Sequence, residues 1–392
     1  MKRNKWLYLW LLLVGIIYLA PWWRSVYFLW DDIEFLILLK FHLWNTLLLS
    51  HEYQFFPIFQ IFYWIEIQLF GVNPSLFFLV SVVLHIVNIF LASSLTFRLT
   101  KSEFSSVLAA ILVSFNKSFF EIIFWPTLQS NLLLTTSSLF AVYLFLKSKN
   151  QYNNYDALKL FLIILIGNFL FGFGIAVGFI FTFTALIFFN PGKGRSVLSF
   201  LTAAASIIGV IAIISFSTAE LRQEGKMPEL SFRQLSQIVY FTAVGPSEGI
   251  ISRFFLPGFV PNIYSLPNIL IMILIPGILV IFTGFLVYRF FKKKSWKKSL
   301  YPLFMFYSLT VAPYAIAALA RSANGAYKAL ADRYVYYPLF FFVLALIYSL
   351  FLFQKLLGIK QRLFHILTVG MTIIIVVGHL VAMNFKVNLL FL

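Results

Sequence analysis

Three carboxylates stand together in Trp30-Asp31-Asp32-Ile33-Glu34, directly after the first apolar segment of the chain. Acids at a membrane boundary can serve a polar cavity in two ways. One takes a proton from an attacking hydroxyl; the other, as a hard oxygen donor, holds a divalent cation such as Mg or Mn, with Asp32 the candidate ligand. An exposed turn at a helix end accounts for the pair equally well, because the bilayer edge is wet. Glu121, in Phe119-Phe120-Glu121-Ile122-Ile123-Phe124-Trp125-Pro126, is a lone acid among aromatics. It either pairs with Lys117 at i−4 or faces a cavity, and the cost of a carboxylate in apolar surroundings favours the cavity.

A third group runs from Arg321 to Pro338, where Arg321, Lys328 and Arg333 accompany Asp332 and four tyrosines. Guanidinium groups grip phosphate oxygens in pairs and tyrosines suit the headgroup level. The group therefore reads as a lipid-phosphate site or as an aromatic-basic anchor. The histidines at 42, 51, 85, 365 and 379 show no ligand spacing, and those at 85, 365 and 379 read as packed within helices. With no cysteine in the chain, disulfides, thiolate metal sites and thiol catalysis are excluded.

Membrane helices must position these groups. Of 392 residues 61% are hydrophobic and only 11% charged, and runs of about 20 apolar residues recur, each long enough to span a bilayer. The chain is expected to be an all-α, multi-pass membrane protein of one domain. Eleven spans are expected: the first helix from Trp6 to Trp23, then 75–97, 104–119, 128–146, 158–171, 174–189, 196–217, 265–288, 300–320, 335–353 and 363–383. Residues 24–73 form a loop with two juxtamembrane helices, the second bearing a Gln60, Trp64, Gln68 stripe. Residues 218–262 form a second long loop. Gly172, Gly174 and Gly178 read as close-packing positions rather than a phosphate cradle.

The charges set the expected orientation. Placing the amino terminus in the cytoplasm puts 19 of the 30 basic residues on the inner side, next to helix ends, and 11 of the 13 acids outside. The net charge of +17 is thus a topology signal and not a nucleic-acid footprint. The expected location is the cell membrane with the acidic site on the external face.

The order of several short motifs resembles the GT-C superfamily of membrane glycosyltransferases. After the acidic pair come Phe56-Pro57-Ile58-Phe59, Phe70-Gly71-Val72-Asn73-Pro74, Leu84-His85-Ile86-Val87-Asn88, the Glu121 segment and Asp332-Arg333-Tyr334-Val335-Tyr336-Tyr337-Pro338. The likeness is to the protein O-mannosyltransferase-like branch, especially the membrane part of its tetratricopeptide-repeat members. It implies a GT-C-like bundle and an inverting transfer from a polyprenyl-phosphate sugar to a protein or glycan hydroxyl. It further implies Asp31 or Asp32 as base, Glu121 as second acid, and Arg333 with Lys328 and Arg321 at the donor phosphate. Glu34, Trp125 and Tyr334 would line the substrate cleft. Other classes stay open: a transporter or flippase, which would want charges near the bilayer midplane; a surface-glycan polymerase; and a catalytically silent relative.

Overall fold

A computed structural model describes residues 5–19, 27–47, 55–116, 118–147, 154–190, 192–223, 232–256, 266–293, 296–321 and 334–390. Among the described residues the chain is helical throughout, with no strand. Helix is the form that satisfies its own backbone polar groups in a hydrocarbon setting.

The helices run in order α1 (Lys5–Leu19), α2 (Trp30–Thr46), α3 (Pro57–Phe70), α4 (Pro74–Thr100), α5 (Glu103–Ser114) and α6 (Phe119–Phe124). A 3-10 turn, Pro126–Leu128, then leads into α7 (Gln129–Lys147). There follow α8 (Asn154–Leu170), α9 (Gly174–Phe188), α10 (Lys193–Gln223) and α11 (Phe232–Val244). After a π-helical stretch, Gly245–Ser252, come α12 (Arg253–Phe255), α13 (Leu266–Phe291), α14 (Trp296–Arg321), α15 (Tyr336–Leu357) and α16 (Gln361–Leu390).

Seven helical stretches among the described residues are long and apolar enough to cross a membrane. They lie in α4, α10, α13, α14, α15 and α16, and in α7 together with the turn before it. The chain is therefore a multi-pass membrane protein. The other four expected spans are helices too, α1, α5, α8 and α9, but each runs only 12 to 17 residues. Among the described residues they fall short of the usual spanning length, which the seven longer stretches meet.

The 218–262 segment departs from expectation. Its described part is helical, with α10 running to Gln223, α11, the π-helical stretch and α12 in succession. Gly245 makes this packing feasible, since a Cβ there would collide with the Tyr314 ring of α14.

Local sequence explains the element ends. Pro57 occupies the first turn of α3, where its missing N–H costs nothing, and Gly71 ends that helix at φ 62°. Asn73 then caps α4, its Oδ1 accepting from the Ser75 N–H at 3.1 Å, with Pro74 next in line. The expected break at Gly172-Phe173-Gly174 is present between α8 and α9. A Cβ on Gly174 would strike the Gly167 backbone, and one on Gly178 would strike Thr202 and Ser206 of α10. Gly172 has only ordinary clearance.

Two hydrophobic clusters, the first mainly aromatic, mark opposite ends of the bundle. At one, Phe35, Phe56, Phe59, Tyr63, Phe77 and Leu170 pack together from α2, α3, α4 and α8. At the other, Leu286, Phe290, Leu300, Leu303, Tyr348 and Leu352 gather with Leu99 and Phe188. The second end carries the basic residues at helix termini: Arg98 lies over the Tyr143 ring, and Lys297 and Lys293 lie over Trp296 and Phe290. The first end carries Asp31, Asp32 and Glu66. These three acids and these three cations thus stand at different ends of one bundle.

Candidate functional site at the acidic end

Asp31 and Asp32 fall in the first turn of α2, where the helix dipole favours negative charge. Asp32 Oδ2 accepts from the Leu29 N–H at 2.8 Å, as a third-position acid does when it reaches back over its own helix start. Its other oxygen, Oδ1, accepts from the Thr127 N–H at 2.9 Å, in the 3-10 turn that joins α6 to α7. Asp32 is fully buried. Burial pushes its carboxyl up to about 6, against the lowering effect of the Leu29 and Thr127 N–H groups, and the charge on Asp31 adds to the rise. This acid is therefore a buried, immobilised group that titrates just below neutrality.

The neighbours sort into those the fold brings to Asp32 and those it does not. Glu121 sits on α6, half-buried, and its backbone carbonyl accepts from the Trp125 N–H at 3.1 Å. α6 and the turn that holds Asp32 are consecutive, so Glu121 and Trp125 belong to the same corner. Asp31 is half-buried beside Asp32, whereas Glu34 is exposed with Ile33 and Ile37 on the outer face of α2. Tyr334 is buried, its ring 6.0 Å from Phe173 at the α8–α9 turn and 6.2 Å from Phe241. Leu170, three residues before Phe173, packs in the aromatic cluster of α3, so Tyr334 enters at the acidic end. Lys328 and Arg333 lie outside the described residues, as does the side chain of Arg321.

Tyr334 leads into α15, which a buried polar network pins against α4 and α7. His85 Nδ1 meets Tyr336 Oη at 2.8 Å, Asn88 Nδ2 donates to the same oxygen at 3.2 Å, and Thr136 Oγ1 donates to Asn88 Oδ1 at 2.7 Å. His379 meets Asn116 at 3.3 Å and His365 stacks on Phe104 with centroids 3.8 Å apart. These histidines pack and hydrogen-bond within the bundle, as their lack of ligand spacing suggests.

Glu66 of α3 is absent from the residues that spacing singled out. It is buried, and burial raises its carboxyl to about 8, a rise tempered by nearby Gln129. At neutral pH it keeps its proton. Tyr63, one turn away, is driven well above the usual tyrosine range by burial and by the charges of Asp32 and Glu66. The expected Gln60, Trp64, Gln68 stripe is not the face that packs: Gln68 is exposed, and the buried face is Phe59, Gln60, Tyr63, Glu66 and Ile67. The available signal was an acid one turn after a tyrosine inside an apolar helix.

A divalent cation at Asp32 would have to share oxygens that are already engaged. Both carboxylate oxygens already accept from backbone N–H groups, and no group of three or more His, Asp or Glu gathers among the described residues. Two turns along α7 from Gln129, a groove of about 350 Å³ opens between α4, α7 and α8, walled by Val87, Leu91, Phe140, Ile163 and Ile166 with the hydroxyls of Thr136 and Ser137. No family model, curated protein or solved structure matches this chain.

Proposed function

We propose that the protein is a membrane glycosyltransferase that moves a sugar from a polyprenyl-phosphate donor to a hydroxyl acceptor at the acidic, external end of the bundle. The observation that carries the reading is Asp32, buried, held by one amide proton from its own helix start and one from the distant turn before α7, and poised near pH 6. A base with a value near the working pH combines availability with driving force. In the proposed step the acceptor oxygen attacks the anomeric carbon from the face opposite the phosphate. Its proton passes to Asp32, and the bond from the anomeric carbon to the phosphate oxygen breaks, with the electron pair leaving on the polyprenyl phosphate. The configuration inverts. Glu121 supplies the second acid of the corner, and Arg333 is assigned by the motif resemblance to the charge growing on the phosphate. The apolar groove between α4, α7 and α8 supports the reading by offering a seat for an isoprenoid chain.

The geometry also supports a second reading, in which Asp32 serves only as a helix-start cap and interhelix tether in a catalytically silent relative. One experiment separates them. Asp31→Asn, Asp32→Asn and Glu121→Gln are assayed in vesicles for transfer from a radiolabelled polyprenyl-phosphate hexose, with thermal stability measured in parallel. Loss of a hundredfold or more in Asp32→Asn, without matching loss of folded protein, is the expected result. Full transfer in all three variants excludes the mechanism.

A further inference from the structure

The seam between α2, α3 and the start of α7 holds polar atoms that the proposed step does not use. Gln60, Tyr63 and Glu66 share the buried face of α3. Opposite them, the Gln129 amide nitrogen donates to the Phe77 carbonyl at 2.9 Å and to Ser81 Oγ at 3.1 Å, which fixes the side chain. Tyr63 lies within reach of the charges of both Asp32 and Glu66, Gln129 lies beside Glu66, and Gln60 precedes Tyr63 by one turn on the same buried face, which makes one cluster of the four side chains and Asp32. Yet among the described residues no well-formed hydrogen bond meets Gln60 Oε1, Tyr63 Oη, either Glu66 oxygen or Gln129 Oε1. Each such buried group costs about 1–3 kcal/mol if nothing meets it.

The chemistry of the set selects what meets it. Two amide oxygens accept, while the Tyr63 hydroxyl and the protonated Glu66 can donate, so the complement both donates and accepts, as hydroxyl groups do. No basic side chain of the described residues acts on Glu66 or Tyr63, so a ligand bringing its own carboxylate or phosphate to this spot would find acids and no counter-charge. The Tyr63 and Phe77 rings, 5.2 Å apart, add an apolar wall suited to the C–H face of a sugar ring. We propose that Gln60, Tyr63, Glu66 and Gln129 bind an uncharged polyhydroxyl ring, a neutral sugar, beside Asp32. The ring deepens the transferase reading if it arrives on a lipid phosphate, and stands without that reading if it arrives free.

The test uses the full chain in lipid nanodiscs, free of sugar-headed detergent, with binding followed by thermal shift. The probes are a methyl hexoside, the matching methyl hexuronoside and a short-chain prenyl-phosphate hexose. The neutral hexoside is expected to stabilise the wild type and Glu66→Gln, since Gln retains a donor and an acceptor without charge. Binding is expected to weaken about tenfold in Gln129→Leu and Glu66→Leu, and several-fold in Tyr63→Phe, which keeps the ring. The hexuronoside should not bind. Undiminished binding in Gln129→Leu and Tyr63→Phe, equal binding of the acidic sugar, or no protection by any neutral hexoside overturns the inference. Prenyl-phosphate hexose binding that ignores all the variants sinks this site and spares the transferase reading. Free hexoside binding at the site without transfer from the lipid donor does the reverse.

Discussion

Asp32 is pulled two ways: burial resists its charge while two amide protons favour it, and the balance lands near 6. If it is the base, transfer should fall about tenfold per pH unit below pH 6, because the protonated acid cannot accept a proton; a kcat/KM profile from vesicles checks this. Glu66 gives a prediction about stability. Its value rises from the usual 4.5 to about 8 on folding, so the folded state holds a proton that the unfolded chain releases. Its contribution is full below pH 4.5 and is lost as pH climbs through 8, so stability should decline across that window. Glu66→Gln should flatten the slope and leave the variant more stable than wild type at alkaline pH, measured by thermal unfolding in nanodiscs. Asp31, Asp32 and Glu121 were legible in the sequence because acids beside apolar segments stand out. Glu66 was hidden because the polar stripe through Gln60 and Gln68 pointed to the neighbouring face of the same helix.

At the scale of elements, close approach is bought by missing side chains. Gly178 faces Thr202 and Ser206 of α10 with no room for a Cβ, so Gly178→Val should cost about 1–3 kcal/mol or more and lower the melting temperature, whereas Gly172→Ala, with ordinary clearance, should be nearly neutral. The break before α9 was readable because Gly172-Phe173-Gly174 interrupts the apolar run. The stretch after α11 was not, since Gly245, Pro246 and Gly249 signal a loop, while the backbone there is helical with Gly245 packed against Tyr314 of α14. The short α2 and α3 carry exposed stripes, Ile33, Ile37 and Phe41 on one and Ile61, Ile65 and Leu69 on the other. Those faces suit lipid contact, while Phe35, Phe59 and Tyr63 on the inner faces close the acidic end.

For the whole molecule, Asp31, Asp32 and Glu66 gather at one end and Arg98, Lys293 and Lys297 at the other, and the proposed orientation puts the latter end in the cytoplasm, as the positive-inside rule favours. The absence of native cysteine makes the orientation measurable. Single cysteines at Lys101 and Lys355 should resist a membrane-impermeant thiol reagent in intact cells, and ones at Glu34 and Val72 should react; the opposite pattern would place the acidic corner inside. Apolar runs made the membrane class legible, and of the eleven expected spans seven meet the spanning length among the described residues, while α1, α5, α8 and α9 are helices of 12 to 17 residues there. The bond from Thr127 to Asp32 links positions 95 apart in the chain. Its amide proton is therefore a built-in gauge. Isotope exchange at that single nitrogen should quicken when the carboxylate is neutralised, letting an observer follow the state of the acid without any substrate present.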